Sequence, residues 1–320
     1  MRLVCDGPWP AALRTASTSP REMVTVVALA TTWRIDGGRL VPAAVEERWK
    51  PLSEPAVLDG AALHDDLDFR RRGVDLLVLG AVHAKGGRPV TRMEAALACG
   101  SVRHRTLVVG DRTWQKSWGK LRISEAQPFA SMPITNDRAY GGVAPMKEGA
   151  MPHAMNPEGR GFRAIADNVP DAPLPNLEDP ASPIAAWTDR PLPAVWYKTA
   201  GAPPLRDPPS APAEYATAVM HAAMRDAPPA LCAERPEDLG AEVLLDGFDA
   251  SGPLAFPLPG DRRGWLSVQI GERRSRLEMR PIRVVVMPGP RALAVTYAAR
   301  FRWLMEPRDE RSVVVGWESR

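Results

Sequence analysis

Apolar and polar positions along this chain fall mostly into short runs of strand length. The longest run is 23–35, MVTVVALATTWRI, rich in β-branched residues and bounded by Pro20 and by Asp36-Gly37-Gly38. That pattern predicts a strand entering a hairpin, because paired glycines adopt the positive φ of a tight hairpin turn. The return strand is expected over 39–41, stopped by Pro42. Apolar residues occupy both faces of the first strand, which places it inside a sandwich or barrel. Further strands are expected over 75–83 (DLLVLGAVH), 90–98, 104–109 and 119–123. Helical patterns between them are missing, which argues against a doubly wound α/β fold.

From 127 to 212 the periodicity is lost. Prolines and glycines are frequent there, and Phe129, Tyr140, Phe162, Trp187, Trp196 and Tyr197 are scattered among them. Long loops that retain aromatics read as ordered and packed, with 203–212 open to being a flexible stretch. The best helix follows over 213–226, AEYATAVMHAAMRD, ended by Pro228-Pro229. Strands then resume over 242–245, 254–258, 265–270, 282–287, 292–303 and 312–317, with Pro288-Gly289-Pro290 as a turn. The expected fold is mainly β: an antiparallel β-sandwich or barrel-like set of sheets with long Pro/Gly-rich ordered loops and one or two short helices. It divides into a lead segment 1–20, a β-rich half 21–200 and a second β-rich half 213–320 packed on it, the two halves able to form one continuous domain.

Composition narrows the class. A hydrophobic fraction of 45% and a charged fraction of 25% are those of a folded globular protein. The 34 prolines favour strands and loops over long helices. A net charge of +3, with basic residues spread along the chain, lacks the clustered footprint of a nucleic-acid binder. The densest run, Arg70-Arg71-Arg72, follows Asp65, Asp66 and Asp68 and reads as a solvated, locally balanced turn. Cys5, Cys99 and Cys232 are too few and too far apart for a disulfide framework or a zinc site. No signal-peptide core or membrane span is visible, so a reduced, cytoplasmic setting is expected.

Candidate chemistry is sparse. His64, Asp65, Asp66 and Asp68 are of metal-ligating type, but such clusters are usually surface, and no metal or other cofactor is expected. Cys99 and His104 have the makings of a nucleophile and base, yet Cys99 ends the apolar run MEAALAC and reads as a small buried hydrophobe. Gly-x-Ser-x-Gly, a phosphate-binding glycine loop, His-Glu-x-x-His and paired Cys-x-x-Cys are all absent. An enzyme, such as a hydrolase, would need an active site assembled from distant residues.

Four segments of the loop region are specific in order and spacing: PFASMP (128–133), RAYGG (138–142), NPEGRGF (156–162) and LPNLE (174–178). Together with VVALATTWRIDGGRLVP, DLLVLGAVHAKGG and LVVGDRTW they resemble the bacterial family known as domain of unknown function 2169, which is associated with type VI secretion gene clusters. The resemblance covers about residues 20 to 320 and is firmest up to Glu178. It departs from the family where Arg70-Arg71-Arg72-Gly73 stands in place of a proline and lysine, and in the C-terminal half, which matches in outline. The resemblance implies a non-enzymatic adaptor or chaperone that stabilises a secretion effector and helps load it onto the valine-glycine repeat spike protein or its cap protein.

The motif side chains carry two readings. In one they organise the loop, Pro175 among them: Gly141, Gly142, Gly159 and Gly161 supply special backbone angles, Asn156 and Asn176 cap turns, and Arg138, Arg160 and Glu178 tie the loop down with charge-assisted hydrogen bonds. In the other, Arg138, Arg160, Tyr140 and Phe162 form an Arg-and-aromatic patch that binds the partner.

Overall fold

The structure is a computed structural model and describes residues 1–194, 214, 224–259, 262–305 and 311–319. It is mainly β, with open antiparallel-rich sheets, and apart from Glu214 the helical elements among the described residues are short 3-10 turns. The helix expected over 213–226 lies, apart from Glu214 and 224–226, outside the described residues, as do Trp196, Tyr197 and 203–212.

A seven-stranded sheet organises the molecule. Across it run Cys232–Ala233, Val74–Val78, Arg280–Met287, Ala292–Leu304, Glu22–Asp36 and Ala11–Ser17, and Arg39–Pro42 also pairs with Glu22–Asp36. The expected hairpin is present, with Gly37 and Gly38 both at positive φ in its turn. Strand Glu22–Asp36 is buried without alternation from Val24 to Trp33 because both of its faces are covered. Val27, Leu29 and Trp33 face the main core, whereas Val26 and Ala28 pack with Leu67 on the other side. A five-stranded antiparallel sheet holds Leu177–Glu178, Val102–Val109, Arg92–Cys99, Glu242–Asp246 and Leu254–Pro257. A four-stranded sheet holds Arg2–Asp6, Arg311–Ser319, Arg262–Ile270 and Arg273–Glu278. Leu76 and Val295, Leu97 and Val243, and Leu266 and Val313 bring all three sheets to one core. Strands from the two ends of the sequence are therefore direct neighbours: Arg2–Asp6 runs parallel to Arg311–Ser319.

Three expectations are corrected at this level. The run 75–83 is two strands, Val74–Val78 and Ala81–His83, because the chain bends at Gly80 and its second half pairs with Ser131–Pro133 instead. Arg71 is not a solvated turn residue, and Asp66 is not a surface carboxylate. Both are buried, because distant residues bring opposite charges to them (see below). Their neighbours do stay near the surface: Arg70 pairs with Asp68 at 2.6 Å, and Arg14 with Asp65 at 3.1 Å. Among the described residues no helix is long and apolar enough to cross a membrane.

The cysteines give a solution check on this packing. Cys5 is exposed, Cys99 buried and Cys232 half-buried. Burial pushes the Cys99 thiol up to about 11, and burial with the neighbouring Asp75 carboxylate pushes Cys232 well above its ordinary value. At pH 8 a thiol-titrating disulfide reagent therefore modifies one cysteine quickly in the native chain and all three after denaturation, since only thiolates react. Two fast native thiols would contradict the packing.

Candidate functional site

The motif loops form an excursion from a single strand. The chain leaves the five-stranded sheet at Val109 and rejoins it at Leu177–Glu178, where Glu178 pairs with Leu107 and Leu177 with Val108. Between those points it builds a second core of Trp114, Tyr140, Ala144, Phe162, Val169, Ala172 and Leu174, joined by Ile184 from just beyond the return strand and separate from the main core. Its own strands are short and pair two by two, so side chains and backbone turns supply much of the order.

Asn176 staples the two ends of the excursion. Fully buried, it donates from Nδ2 to the Val109 carbonyl and the Asp111 carboxylate, both at 3.0 Å, and its Oδ1 accepts from Arg138 Nη1 at 3.0 Å. Its backbone bonds Arg138 on one side and Val109 on the other, each at 2.8 Å. Pro175 lies against Gly161, where a β-carbon would stand 2.8 Å from its ring. Glu178 is buried beside Arg112, with which it forms a close ion pair, and it also accepts the Ile184 amide at 3.2 Å. Burial raises the Glu178 carboxyl above its usual range although Arg112 opposes the shift, and burial likewise lowers Arg112.

Asn156 holds the middle. Its Nδ2 donates to the carbonyls of Asn136 (2.7 Å) and Tyr140 (3.2 Å), and its own carbonyl accepts the amides of Gly142 (2.7 Å) and Gly159 (3.3 Å). Tyr140–Gly141 wraps round this residue and pairs in parallel with Arg160–Gly161. Gly141 and Gly142 have φ of 148° and 98°, and a β-carbon on them would stand 2.1 Å from the Asn156 oxygen and 2.3 Å from the Gly159 oxygen. Only glycine permits so close an approach of two backbones.

Neither motif ring belongs to an exposed patch: Tyr140 is 2% exposed and Phe162 8%. They meet edge to face at 6.4 Å, with His153 completing the cluster at 5.2 Å from each. The Tyr140 hydroxyl donates to the Asp189 carbonyl at 3.1 Å, and burial raises its pKa. Burial lowers His153, and Arg190 adds to the effect. Arg160 spends its guanidinium on Asp137, donating at 2.6 Å to the carbonyl and 3.2 Å to the carboxylate, and stands 3.8 Å from Asp111. Arg138 lies 3.6 Å from the same Asp111. The twelve motif residues are thus drawn together into one clasp, and most of their hydrogen-bonding capacity is spent inside it.

Two hairpins project from this lobe. One is Val143–Pro145 with Ala150–Pro152, on which Val143, Met146 and Met151 are exposed. The other is Trp114–Ser117 with Lys120–Ile123, anchored by Trp114, Leu121 and Ile123 in the second core.

A second polar constellation has no counterpart in the sequence reading. Arg71, Arg225 and Arg283 meet Asp66, Asp75 and Asp226, all six buried. Arg71 bonds Asp75 (2.5 Å) and Asp226 (2.9 Å); Arg283 pairs with Asp226 and stands 2.8 Å from Asp66; Arg225 reaches Asp75 at 3.3 Å. Half-buried His64 bonds Asp226 through both its backbone amide (2.7 Å) and Nδ1 (2.7 Å). Asp75 and Arg283 sit in register on adjacent parallel strands, so the cluster locks the 64–71 and 224–226 segments to the seven-stranded sheet. The carboxylates that sequence alone offers to a metal are engaged by arginines, and among the described residues no group of three or more His, Cys, Asp or Glu could hold an ion. Cys99 and His104 do not meet as a pair: each bonds a backbone carbonyl, Gly240 for Cys99 and Ala194 for His104.

The profile of a family described as "Uncharacterized protein conserved in bacteria (DUF2169)" matches residues 20–298. No curated protein and no solved structure matches the chain.

Proposed function

The chain belongs to this family, whose profile spans most of its length, and from that premise we propose that it is a cytoplasmic adaptor that binds a type VI secretion effector. It acts by binding and not by turnover, holding the effector and presenting it to the spike protein or its cap. The observation that supports a binding role is the use made of the motif residues. They are consumed in a clasp whose product is a small lobe projecting two hairpins, one of them with exposed Val143, Met146 and Met151. Methionine-bearing exposed surfaces suit protein partners, because the thioether adapts to irregular apolar contacts.

The test is co-expression with the effector gene adjoining its own, followed by affinity capture and measurement of effector abundance. Co-purification, with effector lost when the chain is absent, is expected; capture of neither effector nor spike components removes the reading. Arg160 separates clasp from interface. Because its guanidinium is tied to Asp137 and Asp111, Arg160→Ala should lower stability by about 1 kcal/mol, a charged hydrogen bond discounted for its partial exposure. Effector capture should persist. Lost capture at unchanged stability would mean that Arg160 contacts the partner directly.

A further inference from the structure

Trp118 is 97% exposed at the tip of the Trp114–Ser117/Lys120–Ile123 hairpin. Its backbone is also out of place. Trp118 has φ of 50° and Gly119 of 74°, so the hairpin closes with two residues at positive φ, a turn that favours Asn-Gly. A bulky aromatic residue in the left-handed region is an outlier, and strain of that kind gathers where a ligand is gripped. The indole therefore carries two unfavourable features, apolar exposure and backbone strain, while it is all but fully open to solvent. Around it stand Lys116, Lys120 and Arg122, all exposed, with no acidic residue between Arg112 and Ser124. Among the described residues none of these three cations makes an ion pair.

We propose that this hairpin tip is a docking probe: Trp118 inserts into an apolar pocket on a partner protein, and Lys116, Lys120 and Arg122 meet an acidic rim around that pocket. Tryptophan is the residue type that most often dominates an interface, and a ring of flanking charges sets orientation and association rate. The hairpin is rigidly based, since Trp114 is buried in the second core and Leu121 and Ile123 pack against it, so little order has to be gained on docking. The partner class rests on the adaptor reading, which supplies proteins to dock on.

The full-length chain is compared with Trp118→Asn and with the double variant Lys116→Glu, Lys120→Glu. Probes are the purified effector and the purified spike cap protein from the adjoining genes. Asparagine suits the turn, so Trp118→Asn melts at the same or a higher temperature than the parent. Its affinity for one of the two proteins falls at least tenfold, and the charge-reversed variant also binds more weakly and loses the salt dependence of the parent. Equal binding by Trp118→Asn overturns the tip proposal and leaves the adaptor reading standing. Failure of the parent to bind either protein removes both. Sedimentation with phosphatidylglycerol vesicles that depends on Trp118, without Trp118-dependent protein binding, overturns the proposal in favour of a lipid surface.

Discussion

Arg283→Met lowers the stability of the chain by about 3–5 kcal/mol in chemical denaturation, the cost of leaving buried charges uncompensated. Methionine approximates the volume of the arginine stem, so the loss is electrostatic more than steric. Arg283 is fully buried and lies between Asp66 and Asp226, both buried as well. Once it is gone, Asp66 loses its nearest cation, and Asp226 keeps only Arg71 and His64. Removing Arg283 together with Asp66, as Met and Leu, should recover part of the loss, because a buried pair deleted as a unit leaves less unbalanced charge. A loss below about 1 kcal/mol for the single variant would mean that water reaches the cluster.

Acid titration reports on the same residue. Burial pushes the Asp226 carboxyl up, but Arg71, Arg283 and His64 outweigh it and hold the group well below the usual carboxylate range. A carboxyl depressed in the folded state contributes fully above its unfolded pKa of about 4 and loses that contribution as the pH falls toward the folded value. Arg283→Met weakens the depression, so its acid unfolding should begin at a higher pH than that of the parent. Asp66 moves in the opposite direction, raised by burial against the pull of Arg283 and Arg71, so it adds no acid-labile stability.

What could be read from sequence follows from how local each cause is. The hairpin of Glu22–Asp36 and Arg39–Pro42 was legible because β-branched residues and a Gly-Gly turn lie within one window. Strands Arg2–Asp6 and Ala11–Ser17 were not, since prolines and charges break their pattern, and Arg2–Asp6 pairs with Arg311–Ser319 from the far end of the chain. The buried ion cluster was hidden for the same reason. In sequence, Asp66 and Arg71 sit in a stretch that looks solvated, and only the fold brings Asp226 and Arg283 to them. The twelve motif residues were picked out by order and spacing, but burial is not written in composition, so the rings of Tyr140 and Phe162 were as consistent with a patch as with a core. At Trp118 the readable signal is Trp-Gly directly before the alternating run Lys-Leu-Arg-Ile, which marks an aromatic at a turn.

Gly142→Ala should release the projecting lobe while leaving the three large sheets folded. A methyl group there would stand 2.3 Å from the Gly159 carbonyl oxygen, a backbone atom held by the Tyr140–Gly141/Arg160–Gly161 pairing, and the position also has φ of 98°. Strain of about 1–3 kcal/mol and overpacking of about 1–3 kcal/mol combine to about 2–6 kcal/mol, enough to open a lobe whose second core is small. Hydrogen exchange should then lose protection across 134–176, with Asn156 and Asn176 no longer gripping their carbonyl partners, while 22–36 and 280–304 stay protected. Gly37→Ala, in the turn between Glu22–Asp36 and Arg39–Pro42 and outside the lobe, is the control: its φ is 56°, and a β-carbon there would meet nothing within 4 Å, so it carries strain without collision. Equal protection in the two variants would show that the close approach at Gly142 does not hold the clasp. A difference, with effector capture lost in Gly142→Ala and kept in Gly37→Ala, would tie partner binding to the lobe that the motif residues assemble, since neither substitution touches an exposed side chain of the projecting hairpins.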